Sequence, residues 1–149
     1  MLTNFKVFTG PMFGGKTTRL LTAIERDVIR GLNVMCFKPQ MDVRYSTDEI
    51  TSHLGAKVNA ITVESGAEII RQVESSPVSQ IDSVAVDELF MIPGGGEALV
   101  KLFQAGINIY TSSLQLSSNP RPYAFDEMSV ILPWATKIDI CPAVCTVCG

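Results

Sequence analysis

The sequence lacks any apolar run long enough to span a bilayer, and it lacks an excess of positive charge. Its formal net charge is −3 and its isoelectric point is near 5.1, so it has no general electrostatic attraction to nucleic acid or acidic membranes. The N-terminus also lacks the charged and then apolar layout of a signal peptide. We therefore expect a cytoplasmic protein whose partner is a small molecule, not nucleic acid or a membrane.

Histidine and cysteine are scarce, which limits metal and disulfide chemistry. His53 is the only histidine, has no cysteine or histidine near it in sequence, and is interpreted as a loop residue. The four cysteines are expected to stay reduced inside a cell, which favours metal-binding or core roles over disulfides. They are Cys36, Cys141, Cys145 and Cys148.

The chain shows no internal repeat, but short apolar segments alternate with helical ones. Its 149 residues, 46% of them hydrophobic, suffice for one domain with a core between two helix layers. Strand-like segments are 5–9, 33–37, 58–63, 83–86, 107–110 and 137–141, and helical segments are 18–30, 65–74 and 96–105. This alternation predicts an α/β, three-layer domain with a mostly parallel sheet. Two long stretches without periodicity, 39–57 and 112–125, are expected to be binding loops or lids.

A complete phosphate-loop motif, G-x-x-x-x-G-K-[ST], lies between the first strand and the first helix, which is the setting that the motif requires. Its glycines are expected to turn backbone N–H groups towards phosphate oxygens at the helix N-terminus. Lys16 would reach the β- and γ-phosphates, and Thr17 would hold Mg²⁺. A glycine-rich turn before an ordinary helix is the alternative. The candidate ATP-binding residues are Gly10, Pro11, Met12, Phe13, Gly14, Gly15, Lys16, Thr17 and Thr18.

A second element of the nucleotide site is predicted where the strand 83–86 ends in two acids, Asp87 and Glu88. We expect this strand to lie beside the first one, so that Asp87 holds the Mg²⁺ hydration shell opposite Thr17. Glu88 would then take the proton from an attacking hydroxyl as the general base of phosphoryl transfer. Alternatively, Glu88 is a solvated acid at a strand end or the water-activating residue of a hydrolase.

Five segments occur in the order and approximate spacing of the type II thymidine kinases, the cellular, poxviral and phage kind. They are GPMFGGKTTRLL, KPQMDVRYS, ITSH, VDE and AVCTVC. The chain is similar to this family over nearly its whole length. The resemblance implies ATP-dependent phosphorylation of the 5′-hydroxyl of thymidine or deoxyuridine, with Glu88 as the base and Asp87 as the acid on the Mg²⁺ side. It also implies a homotetramer or a homodimer, which the small apolar-rich domain favours as well.

Asp42 and Arg44 match the Asp-x-Arg of the same family. A guanidinium near the transferring phosphoryl group would neutralise charge that develops in the transition state, which makes Arg44 a candidate catalytic residue. Alternatively, Arg44 pairs with Asp42 or Asp48 within its loop and has little effect on the rate.

Cys145 and Cys148 form a C-x-x-C pair that the resemblance identifies as half of a structural Zn²⁺ site. A closed site needs four ligands, so Zn²⁺ binding would require further ones. Cys141 is a candidate third ligand, but its place in an apparent strand favours burial as a small hydrophobe. A C-x-x-C pair alone is equally compatible with a redox or incidental role. We divide the chain into a kinase domain, 1–140, and the beginning of a zinc-binding lasso segment, 141–149, which we expect to be incomplete.

The segments on the nucleoside side depart from the family. The L-D-x-x-F segment, whose Phe packs on the nucleobase in the family, corresponds to 114–120, where Gln115 replaces the acid. The aromatic residue that follows Asp-Glu in the family corresponds to Met91. Tyr123 or Phe125 is then the stacking surface, unless it is a packing anchor of the loop.

These departures favour an alternative function, a nucleotide-binding regulatory or scaffold protein without kinase activity. Retention of both Asp87 and Glu88 favours the kinase, because binding alone needs only the acid on the metal side. A third hypothesis, an ATPase motor or ring protein, is disfavoured by the short chain and by the lack of an Arg-rich sensor region.

Overall fold

The computed structural model describes residues 2–12, 14–40, 48–51, 55–116 and 125–149. The strands are β1 (Phe5–Thr9), β2 (Val34–Pro39), β3 (Glu49–Thr51), β4 (Lys57–Asn59), β5 (Ile61–Val63), β6 (Ser83–Val86), β7 (Asn108–Ser113) and β8 (Lys137–Ile140). The helices are α1 (Lys16–Ile29), α2 (Gly66–Glu74), α3 (Gly95–Gln104) and α4 (Asp126–Ile131), with 3-10 turns at Leu89–Met91 and Leu132–Trp134. None of the helices in these ranges is long and apolar enough to cross a membrane.

Six strands form one sheet in the order β5-β2-β6-β7-β1-β8, and every neighbouring pair in it is parallel. The strands β3 and β4 form a separate antiparallel pair. Because parallel neighbours need crossover connections, helices cover the sheet on its faces. The predicted α/β fold with a mostly parallel sheet is confirmed.

Two apolar clusters lie on opposite faces of the sheet. On one face, Leu20, Leu21 and Ile24 of α1 pack with Phe8, Ala85 and Tyr110. On the other face, α2, α3 and α4 cover a larger cluster. Its fully buried members include Phe5, Phe37, Ile69, Val84, Val86, Leu99, Ile109, Met128 and Ile131. All four residues of β6 are buried, as an interior parallel strand requires.

The last turn of α1 has two apolar side chains, those of Val28 and Ile29, that lie outside the core. These two side chains are 56% and 77% exposed, and Asp27 is buried instead. The hydroxyl of Ser83 donates to Asp27 Oδ2 at 2.5 Å, and Arg30 lies 3.5 Å from the other carboxylate oxygen. A buried carboxylate is tolerated when such partners satisfy it.

The predicted loops also contain regular structure. The stretch 39–57 includes β3, and the predicted strand 58–63 divides into the end of β4 and the whole of β5. The first two residues of the stretch 112–125 belong to β7, which extends to Ser113.

The start of α2 is fixed by a cap and by a close backbone contact. Ser65 accepts the backbone N–H of Glu68 at 3.4 Å, and the Glu68 carboxylate accepts the N–H of Glu64 at 2.7 Å. The arrangement differs from a capping box in one respect, because the Glu68 carboxylate binds the N–H of the residue before the N-cap and not that of the N-cap itself. The next residue, Gly66, donates its N–H to the Pro93 carbonyl at 2.9 Å. A Cβ on Gly66 would overlap the carbonyl group of Gly94.

Gly66→Ala is expected to lower the free energy of unfolding by about 2–3 kcal/mol, because its Cβ has no space beside the Gly94 backbone. Gly31→Ala is the matched control, since nothing lies within 4 Å of its Cβ position. Only its left-handed φ of 80° opposes a side chain there, at about 1 kcal/mol. Urea unfolding followed by circular dichroism measures both variants. Equal losses would mean that the contact with Gly94 does not constrain α2.

Candidate active site

The carboxyl ends of β1, β7 and β6 meet at one edge of the sheet, where ligands bind in open α/β folds. The prediction that the strand before Asp87 lies beside the first strand is wrong. The strand β7 lies between them and pairs with both. Each of these strands is a short apolar segment, so its own sequence does not specify its neighbour. The end of β7 therefore lies between the phosphate loop and Asp87.

The phosphate loop, residues 10–17, takes its shape partly from positive φ angles and partly from close packing. The φ angles of Gly10 and Gly15 are 128° and 76°, as glycine permits, whereas Gly14 has no positive φ. A Cβ on Gly10 or on Gly14 would overlap the carbonyl oxygen of Cys141. Glycine at position 14 is thus required by packing, not by a left-handed backbone.

The helix α1 begins at Lys16, so its positive N-terminal end lies at the loop. Gly15 occupies the capping position without a side-chain bond, and the first turn contains no acidic residue. The buried Lys16 donates from Nζ to the Pro11 carbonyl at 2.5 Å, which places its ammonium group within the loop. Pro11 and Met12 are exposed, and Thr18 is half-buried. Helix dipole and ammonium together favour an anion here.

The two residues predicted to hold Mg²⁺ lie together. Thr17 donates from Oγ1 to Asp87 Oδ1 at 3.2 Å, and Asp87 is buried. The backbone N–H of Asp87 donates to the Phe37 carbonyl at 3.0 Å, which ties the acid to the end of β2. A hydroxyl and a carboxylate oxygen at this separation fit Mg²⁺, which takes oxygen ligands from one or two side chains plus phosphates.

Glu88, the predicted base, is half-buried and has an unusual backbone. Its φ and ψ are 54° and 46°, and it is the only non-glycine residue with positive φ in the described parts of the chain. A left-handed conformation costs a side-chain-bearing residue about 1–3 kcal/mol and tends to occur at functional sites. Its N–H donates to the hydroxyl of Ser112 at 3.1 Å.

The sequence analysis missed the hydroxyl residues at the end of β7. Ser112 donates to Asp87 Oδ1, the oxygen that Thr17 also contacts. Thr111 donates to the Val86 carbonyl at 2.9 Å, and the Ser113 carbonyl accepts from Thr9 at 3.0 Å. The sequence did contain a signal for them, because three consecutive hydroxyl residues follow the predicted strand 107–110.

Lys38 is a second residue that the sequence did not single out. It is buried at the end of β2, and its Nζ donates to the Glu49 carbonyl at 2.8 Å. This bond joins the main sheet to the β3–β4 pair.

Several predicted residues lie outside the described ranges, namely Phe13, Asp42, Arg44, His53 and Tyr123. Of the nucleoside-side candidates that are described, Gln115 is exposed and Met91 is half-buried. The ring of Phe125 lies against that of Phe90, with centroids 4.9 Å apart, and it also packs against the larger core cluster. Phe125 therefore has the contacts of a packing anchor.

The two cysteines of the C-x-x-C pair are exposed and form a tight turn. The N–H groups of Cys148 and Val147 each lie 3.4 Å from Cys145 Sγ, and these hydrogen bonds lower the pKa of the Cys145 thiol. No group of three or more histidine, cysteine or acidic residues that could hold a metal occurs among the residues described. Because a closed Zn²⁺ site needs four ligands, this pair alone does not complete one.

The other two cysteines have the character of core residues. Cys141 and Cys36 are both buried in the cluster beneath α1. Burial raises the pKa of the Cys36 thiol to about 12 and also raises that of Cys141. A thiol that resists ionisation is a poor metal ligand, which agrees with the expected burial of Cys141 as a small hydrophobe.

Comparison with known proteins identifies the family. The thymidine kinase family model matches residues 3–149. The thymidine kinase of Thermococcus kodakarensis is 36% identical over 148 residues, which cover 97% of this chain and 73% of that protein. That of Pyrobaculum aerophilum is 35% identical over 147 residues, covering 96% and 76%. That of Deinococcus radiodurans is 31% identical over 153 residues, covering 98% and 71%. The resemblance noted in the sequence is confirmed, and the chain belongs to the thymidine kinase family.

Proposed function

We propose that this protein transfers the γ-phosphoryl group of ATP to the 5′-hydroxyl of thymidine or deoxyuridine. Family membership and relatives named thymidine kinase support this function. The observation that carries it is the bond between Thr17 and Asp87, which joins the phosphate loop to the acidic strand end directly before Glu88. A kinase needs both parts at one place, because phosphoryl transfer depends on positioning and on charge neutralisation.

The nucleotide is held by the phosphate loop and the start of α1. Gly10 to Thr18 are proposed as the phosphate-binding residues, in which backbone N–H groups, absent only at Pro11, would bind the phosphate oxygens and the Lys16 ammonium would balance their charge. Thr17 and Asp87 would hold Mg²⁺, which supplies further positive charge to the β- and γ-phosphates when it is bound. Arg44 is proposed as the guanidinium that meets the charge developing on the transferring group.

Glu88 acts on the acceptor. As the bond between the 5′-oxygen and the γ-phosphorus forms, the bond from that phosphorus to the leaving oxygen breaks, and the hydroxyl proton passes to the Glu88 carboxylate. The buried Asp87 remains the acid on the metal side. This division gives each of the two adjacent acids a separate task.

A regulatory or scaffold protein without kinase activity is the weaker alternative. It was suggested by departures at Met91 and Gln115 on the nucleoside side. The three relatives described above are named thymidine kinases, and none of them favours the regulatory function.

Three further features are proposed from the family resemblance. Residues 1–140 form the kinase domain, and 141–149 begin a zinc-binding segment in which Cys145 and Cys148 supply two of the four ligands. The protein assembles as a homotetramer or a homodimer. We also keep a cytoplasmic location as a prediction.

Lys16→Ala is expected to abolish binding of a non-hydrolysable ATP analogue, because it removes the ammonium group within the phosphate loop. Isothermal titration calorimetry in the presence of Mg²⁺ measures the affinity. Lys101→Ala, an exposed lysine of α3, is the matched control and is expected to bind as the parent does. Undiminished affinity of the Lys16 variant would contradict the assigned phosphate site.

Glu88→Gln is expected to lower kcat for thymidine by about a hundredfold or more, the usual scale for a positioned general base. Affinity for the ATP analogue should change little, because Thr17 and Asp87 still hold Mg²⁺. Coupled measurement of ADP release gives kcat, and calorimetry gives the affinity.

Asp87→Asn is the comparison variant for Glu88→Gln. It is expected to weaken Mg²⁺-dependent nucleotide binding as well as the rate, because it alters the acid on the metal side. A Glu88→Gln enzyme that phosphorylates thymidine at the parental rate would exclude Glu88 as the base.

Iodoacetamide is expected to modify Cys145 and Cys148 in the native protein but not Cys36 or Cys141, because only the first two are exposed. Mass spectrometry identifies the alkylated thiols. Alkylation of Cys36 or Cys141 as fast as that of the exposed pair would contradict the burial of those two thiols.

A further inference from the structure

Ser112 is a buried residue of β7, 1% exposed, that contacts both acids of the candidate active site. We propose that it is a positioning residue for Glu88, holding this base in its left-handed backbone conformation beside Asp87. The inference rests on the proposed function, in which Glu88 receives the proton of the acceptor hydroxyl. Ser112 itself touches neither substrate nor phosphate in this role.

The Ser112 hydroxyl is the donor in one of its two hydrogen bonds and the acceptor in the other. A serine hydroxyl has one proton to donate and lone pairs that accept. Its proton goes to Asp87 Oδ1, so the oxygen is left to accept the backbone N–H of Glu88 at 3.1 Å. The bond to the carboxylate is charge-assisted, and it fixes the direction in which the hydroxyl accepts. One side chain thus links the carboxylate of one acid to the backbone of the other.

The backbone N–H of Glu88 needs a side-chain acceptor because Glu88 lies beyond the end of its strand. The strand β6 ends at Val86, and Asp87 still donates its N–H to the neighbouring β2. At Glu88 the chain turns into the left-handed region, and the Glu88 carbonyl accepts the N–H of Met91 at 3.0 Å. Ser112 binds the remaining backbone group, the N–H. The backbone conformation sets the direction in which the Glu88 side chain departs, so Ser112 controls the position of its carboxylate.

A purely structural role for Ser112 is the competing explanation, since any buried hydroxyl stabilises a fold when it is hydrogen-bonded. Ser113 provides a matched control for this role. It is the next residue of β7 and is equally buried at 1%, but its hydroxyl donates to the Leu114 carbonyl at 3.2 Å. Ser113→Ala removes a buried hydroxyl from the same strand without removing a bond to Asp87 or Glu88.

The first experiment is a double-mutant cycle read out as kcat for thymidine. Ser112→Ala is expected to lower kcat by about tenfold or more, as a displaced reacting group does, and to change the affinity for the ATP analogue by less than about threefold. Ser113→Ala should keep the parental kcat. In a Glu88→Gln background, Ser112→Ala should add little further loss, because both changes act through one carboxylate. An equal additional loss in both backgrounds, or a parental kcat in Ser112→Ala, would overturn the proposal.

The second experiment does not depend on catalysis. Hydrogen exchange with mass spectrometry, on a peptide that covers residues 87–92, follows the amide of Glu88. Ser112→Ala should speed exchange of this amide because its acceptor is gone, whereas Ser113→Ala should not. Unchanged exchange in Ser112→Ala would overturn the proposal even if the parent phosphorylates no nucleoside, an outcome that would separately refute the proposed function. Faster exchange together with the non-additive kcat loss would establish Ser112 as the positioning residue.

Discussion

The carboxylate of Asp87 is the group on which the arrangement of the site depends. It is buried, and one of its oxygens accepts from Thr17 of α1 and from Ser112 of β7. A buried charge is stable only when hydrogen-bond partners replace the lost water. These partners come from elements far apart in the sequence, so they meet only when β7 has entered the sheet between β1 and β6. The order of the strands therefore determines the geometry of the site.

The helix α1 and the strand β6 are joined a second time at the opposite edge of the sheet, where β6 begins. Ser83, the first residue of β6, donates to the buried Asp27 near the end of α1. Burial raises the pKa of the nearby Tyr110 phenol, and a hydrogen bond and charge from Asp27 raise it further. With Thr17 bonded to Asp87 at the other end, α1 is attached to β6 at both of its ends. These two contacts fix the orientation of α1, whose N-terminus lies at the phosphate loop.

Features that arise from local chemistry were predictable from the sequence, and those that depend on partners were not. The phosphate loop, β6 and the Ser65 cap of α2 each follow from a few adjacent residues. The position of β7 does not, because any buried parallel strand could occupy it. The short α4 was also missed. Its Glu127 accepts the N–H of Gly96 at 2.9 Å and so caps another helix, a contact that no local pattern records. The role of Ser112 was equally unpredictable, because it depends on contacts with residues that are distant in sequence.

The family motif itself depends on a strand that is distant in sequence. Gly10 and Gly14 lie so close to the Cys141 carbonyl that any side chain would collide with it. The Cys141 N–H donates to the Thr9 carbonyl at 2.7 Å, which continues the pairing of β8 with β1. The residue that follows β8 therefore packs directly against the phosphate loop and excludes side chains at these two positions. The segment 141–149, which contains Cys145 and Cys148, begins at this contact. The first residue of the proposed zinc-binding segment therefore also packs against the phosphate loop.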